Sequence, residues 1–148
     1  MLGAFYMHFF SNSEKDQIVG AIKAAELRTS GEIKVHVEEH CPNENPVDRA
    51  WEVFDLLALE KTAQRNGVLF YLSITDRRFA VVGDEGIHHK MGDIFWGEVK
   101  DLLYHHLHQG DTVNGLCKAI KLAGEALKAN FPYESGDINE IDDSISFG

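Results

Sequence analysis

The chain has 148 residues, 44% of them apolar, which suits one domain with a core that needs no disulfide staples. Its 14 Lys and Arg face 24 Asp and Glu, and the net charge of −10 repels nucleic-acid phosphates and anionic lipid surfaces. Cys41 stands in a loop pattern and Cys117 in a helical apolar stripe, so no structural disulfide is expected and a reducing, cytoplasmic setting fits.

Met1 to Phe10 is apolar, but it lacks a basic n-region and a small-residue cleavage site and is too short to cross a bilayer, so neither a signal peptide nor a membrane span is expected. Residues 1–12 read as an extension, 13–132 as the folded domain and 133–148 as a poorly ordered acidic tail. That tail holds five acids and no base, leaving 19 acids against 14 bases in the rest.

Ser13-Glu14-Lys15-Asp16 has the form of a capping box, and Ile18, Ala21, Ile22 and Ala25 follow at helical spacing, predicting a first helix to about Thr29 with Gly31 as its stop. Glu32 to Glu38 alternates, with Ile33, Val35 and Val37 on one face, and predicts a strand whose other face is less deeply buried. Asn45-Pro46 opens a second helix carrying Val47, Trp51, Phe54 and Ala58, expected to end near Asn66-Gly67. The apolar run Val68 to Ile74, the turn Thr75-Asp76-Arg77 and Phe79 to Val82 predict a β-hairpin. A third helix carries Phe95, Val99, Leu102, Leu103 and His106. A last one, from Asp111, carries Val113, Leu116, Cys117, Ile120, Gly124 and Leu127 and stops at Phe131-Pro132.

A helical crossover makes the first two strands parallel, and the hairpin makes the third antiparallel. One sheet edge then gathers Ser30, Gly31, Glu32, Asn66, Gly67 and the loop Gly83-Asp84-Glu85-Gly86. The other gathers Glu38, Glu39, His40, Asp76, Arg77 and Arg78. Carboxylates among sharply turning glycines are what a hard cation seeks, so Asp84, Glu85, Glu32 and Asn66 are the candidate metal ligands, with calcium favoured over magnesium or zinc. The competing reading makes the same loop a polar turn with its acids at a helix amino end. On the second edge, outside the carboxyl end of a parallel strand, Asp76, Arg77 and Glu39 are candidates to hold a small phosphorylated ligand, against a plain solvated turn.

Eight histidines invite a zinc reading, and Glu98, Asp101, His105 and His108 share one helix face, but a mixed-charge surface explains them as well and no tetrahedral set closes. Asp137, Asn139 and Asp142 lack the glycine and bidentate glutamate of a calcium loop. No Gly-x-Ser-x-Gly elbow, Walker loop or Cys-x5-Arg pattern supplies a nucleophile or phosphate cradle, and Glu38 and Glu39 disfavour a Cys41 thiolate.

Thr29-Ser30-Gly31-Glu32-Ile33, Asn66-Gly67-Val68-Leu69, Asp76-Arg77-Arg78-Phe79-Ala80-Val81, Gly83-Asp84-Glu85-Gly86-Ile87 and Phe131-Pro132, in this order and spacing, resemble the TPM-domain family, over roughly Ser13 to Pro132. The tail Asp137 to Asp143 is similar to that of stand-alone bacterial members. The resemblance implies a three-layer α/β/α sandwich, Rossmann-like, with a small mixed sheet containing a β-hairpin. It also implies divalent-metal binding by loop residues, and the acid phosphatase activity of a thylakoid-lumen branch linked to photosystem repair. An acidic pair where the family has a Gly-x-Gly-like turn adds oxygen ligands. The expectation is therefore a calcium-binding accessory or interaction module with an unknown protein partner; the alternative is a metal-dependent acid phosphatase.

Overall fold

The computed structural model describes residues 9–92, 94–133 and 140–148; the side chains of Ile94 and Phe95, and the tail residues Asp137 and Asn139, lie outside the described residues. Helix α1 spans Asn12–Glu26 and begins with a capping box two residues ahead of the one expected. Ser11 Oγ accepts from Glu14 N–H, and Glu14 accepts from Ser11 N–H at 2.9 Å. Glutamate is the longer acid and reaches back to the cap, which Asp16 at the Ser13 box would not do as well. Ile18 and Ile22 of α1 are fully buried.

Strand β1 (Glu32–Glu38) pairs parallel with β2 (Gly67–Ser73), from Glu32 opposite Gly67 to Glu38 opposite Ser73. Strand β3 (Arg78–Gly83) returns antiparallel, closing the expected hairpin. Between β1 and β2, α2 (Pro46–Leu56) starts at the Asn45 cap but ends ten residues before Asn66. Ala58 turns the chain at φ 54° and Arg65 at φ 51°, and between them Leu59 drops into the core. The buried face of α2 is Ala50, Val53 and Phe54, while Trp51 stays 39% exposed with its ring edge-on to Phe54.

After β3 comes a short helix, α3 (Glu85–Met91), ahead of the one predicted through Phe95 and Val99; its single buried residue, Ile87, leaves no periodic stripe to read. Gly92, at φ 66°, separates it from α4 (Ile94–His108), and α5 (Thr112–Asn130) ends at Phe131 as expected. The last strand, β4 (Ser146–Phe147), comes from the segment set apart as a tail. It lies parallel to β1, giving the order β3-β2-β1-β4.

One face of this mixed sheet (Ile33, Val35, Val37, Val68, Phe70, Leu72) packs against α1, α4 and α5 through Ile18, Ile22, Val99, Leu103, Leu116, Ile120 and Leu127. The other face (Leu69, Tyr71, Ala80, Val82) packs against α2 and Leu59. The result is the expected α/β/α sandwich, in which each fully buried large apolar side chain contributes about 1.5–3 kcal/mol. In β1 the polar row of Glu32, Lys34, His36 and Glu38 is buried too, at 2–7% exposure against 0% for the apolar row, because residues 140–148 lie across it.

Candidate functional site

At the first sheet edge the loop Gly83 to Gly86 is a strand end running into a helix. Asp84 caps α3, its Oδ1 accepting from Glu85 N–H at 2.8 Å. Arg65, in the turn just before β2, closes on the same carboxylate, Nε to Oδ2 at 2.7 Å and Nη2 to Oδ1 at 2.9 Å. The third nitrogen, Nη1, reaches the exposed Glu85 at 3.3 Å. This planar fork matches a carboxylate bidentately and supplies the positive charge that Asp84 needs, with only 3% of the residue exposed. The helix-amino-end reading thus describes Asp84 and Glu85 as they stand. Glu85 sits in the first turn, where its charge favours the helix dipole.

Glu32 and Asn66 share that edge, through the backbone bond from Glu32 N–H to Asn66 O at 3.2 Å, but their side chains turn to other partners. Asn66 donates to Ser30 Oγ at 3.4 Å, and its buried Oδ1 receives no hydrogen bond. Glu32 Oε1 accepts from Glu140 N–H at 2.5 Å.

Two acids that the sequence reading missed, Glu26 at the end of α1 and Asp143 in the C-terminal segment, join Glu32 in a cluster. Glu26 Oε2 accepts from Ile33 N–H at 2.8 Å. Its Oε1, and Glu32 Oε2, are buried without a donor. Glu26 and Glu32 bond through their side chains and Asp143 bonds Glu26 as well, contacts between carboxyls that a shared proton satisfies. Burial, reinforced by Asp143 and Glu32, accordingly pushes Glu26 up to about 10, and burial also raises Glu32.

A folded-state value near 10 against an ordinary 4.5 means that the folded chain holds a proton the unfolded chain has released. That contribution to stability is complete below about pH 4.5 and is lost as pH rises towards 10. Replacing Glu26→Gln, neutral at every pH, is expected to flatten this decline and stabilise the chain at pH 8 by about 1 kcal/mol. Urea unfolding at pH 5 and pH 8 measures it, and an equal loss at both pH values would refute it.

At the second edge, His40 bridges two of the three candidates, meeting Asp76 Oδ1 at 2.8 Å and Glu39 Oε1 at 3.7 Å. The His40 hydrogen bond, helped by Cys41 N–H, holds the Asp76 carboxyl below its ordinary range, and Asp76 in turn raises His40. Arg77, at φ 55° in the hairpin turn, lines a cavity of about 440 Å³ with Leu107 and Thr112. Deeper in, Glu38 accepts from Tyr71 Oη at 2.6 Å and from the Arg49 guanidinium, with His36 Nε2 at 3.4 Å. Burial opposes ionisation there, but Arg49 and Tyr71 outweigh it and lower Glu38.

On α4, His106 meets Asp111 Oδ2 at 3.0 Å, and His108 stacks on the exposed Tyr104. Among the described residues no three His, Cys, Asp or Glu side chains are arranged to hold a metal ion. Both cysteines are free, and burial raises Cys117.

A mixed four-stranded sheet sandwiched between helices, with buried acids along β1, defines an α/β/α domain. The model of one family, the TPM domain, matches residues 5–126, and the chain belongs to that family. It is similar to the BA42 protein of the psychrophilic bacterium Bizionia argentinensis, known from an NMR structure: 38% identity, 95% of this chain and 97% of that one covered, TM-score 0.89. The N-terminal domain of cg2496 from Corynebacterium glutamicum (14% identity, 90% and 82% covered, TM-score 0.68) shares the fold. So does that of a P. gingivalis protein (18%, 84% and 80%, TM-score 0.65). Nothing matches among curated proteins.

Proposed function

We propose that the chain is a divalent-cation-binding accessory domain, calcium being the favoured ion, and that Glu26, Glu32 and Asp143 are the carboxylates that would take it. The observation that carries this is the pair of donorless buried oxygens, Glu26 Oε1 and Glu32 Oε2, within a three-acid cluster. Such a cluster demands positive charge, and hard carboxylate oxygens suit calcium or magnesium better than zinc. The acids would have to close around the ion, displacing the proton they share. Of the ligands named from sequence, Glu32 belongs to this group and Asn66 borders the same edge with a free Oδ1. Asp84 and Glu85 already face the Arg65 guanidinium, so a cation there would have to displace it.

Calorimetric titration of calcium and magnesium in two buffers of different ionisation enthalpy reads both affinity and proton release. Wild type is expected to bind calcium and release protons; Glu26→Gln/Glu32→Gln to lose at least about tenfold in affinity, roughly 1.4 kcal/mol; and Asp84→Ala/Glu85→Ala to keep it. The reverse pattern of losses returns the ion to the Asp84 loop, and absence of binding in wild type refutes the proposal. Metal-dependent turnover of p-nitrophenyl phosphate in the same samples, lost with the ion, would make the domain a phosphatase instead.

A further inference from the structure

Polar side chains on a central strand are costly to bury, yet β1 carries four in alternation, and three of them hold the C-terminal segment in two-residue steps. Glu32 takes Glu140 N–H at 2.5 Å. Lys34 Nζ donates to Asp142 O at 3.1 Å and to Ser144 O at 2.7 Å. His36 Nδ1 meets Ser146 Oγ at 2.9 Å, and Gly148 N–H donates to Val37 O at 3.0 Å. All but one of these contacts read the main chain of the segment, so they recognise an extended strand more than a particular sequence. Two positions are selective. His36 asks for a hydroxyl at residue 146, and a Cβ at residue 148 would lie 2.6 Å from His36 Nε2 and 2.7 Å from Glu38 Oε1, leaving room for glycine alone. The ladder itself is only two residues long, at His36 and Val37, so the side-chain row rather than strand pairing does most of the holding.

We propose that this row is a peptide-binding track for an extended strand carrying Ser-x-Gly, that the chain's own segment 140–148 is its resident ligand, and that the track takes up the same segment from a second copy when its own is released. β-Strand addition of this kind draws affinity from the main chain and selectivity from alternate side-chain positions. An intramolecular ligand competes at high effective concentration, so the track is closed to peptide in the wild-type chain.

The test uses a fluorescent peptide of residues 140–148, titrated by anisotropy in the presence of a chelator so that the outcome does not depend on cation binding. The full chain carrying Ser146→Pro/Gly148→Leu, which cannot seat its own segment, is expected to bind the peptide at least about tenfold more tightly than wild type. Adding Lys34→Ala to that chain abolishes the gain. Ser146→Ala alone, which loses only the His36 contact, gives an intermediate gain and keeps the test open should the double variant misfold. Failure of both variants to take up peptide, or binding indifferent to Lys34→Ala, overturns the proposal.

Discussion

A chain carrying Gly86→Ala is expected to be less stable than wild type by about 3 kcal/mol, read from the urea midpoint at constant slope. The methyl group would be driven into the carbonyl oxygen of Gln64 and to 2.6 Å from that of Arg65. Both oxygens belong to the turn that delivers Arg65 to Asp84, and Gly86 N–H already donates to Arg65 O at 2.9 Å. The obstacle is main chain on both sides, so no rotamer change relieves it. A loss under about 1 kcal/mol would show that the turn yields easily, which the close packing of protein interiors argues against.

Asp84→Ala is expected to cost about 2 kcal/mol. The substitution removes the cap of α3 together with the acceptor of a bidentate guanidinium pair. The same variant discriminates between sites. If Asp84 serves the fold, calcium affinity stays while the thermal midpoint drops; if both fall together in samples that remain folded, the carboxylate is a ligand.

The three long strands were legible because their apolar periods are strong: β1 and β2 fall where Ile33-Val35-Val37 and Val68 to Ile74 place them. The end of α2 was not, since the chain turns at Ala58 and Arg65 with positive φ, a conformation for which neither residue carries a signal. β4 was missed for a different reason. A two-residue strand has no period, and the acids around it read as solvated tail, although Ile141 and Ile145 pack against the two cores. The candidate site was half visible. Tracing strand directions put Glu32 at an acid-rich edge, but Glu26 reaches that edge only because α1 stops short of Thr29, and Asp143 only because the C-terminal segment folds back more than a hundred residues. Arg65 stands next to Asn66 in sequence and went unremarked, since a basic residue in a polar loop gives no sign of the carboxylate it will meet.

The two-residue β4 also settles how the sheet ends. β3 bounds it on one side, and on the other the C-terminal segment lies over the seven buried residues of β1. Stripped of that cover, β1 would offer a row of unsatisfied main-chain groups to any passing strand, the template on which edge-to-edge aggregation starts. The last nine residues thus cover the β1 side of the sheet, in a chain whose net charge of −10 also opposes self-association.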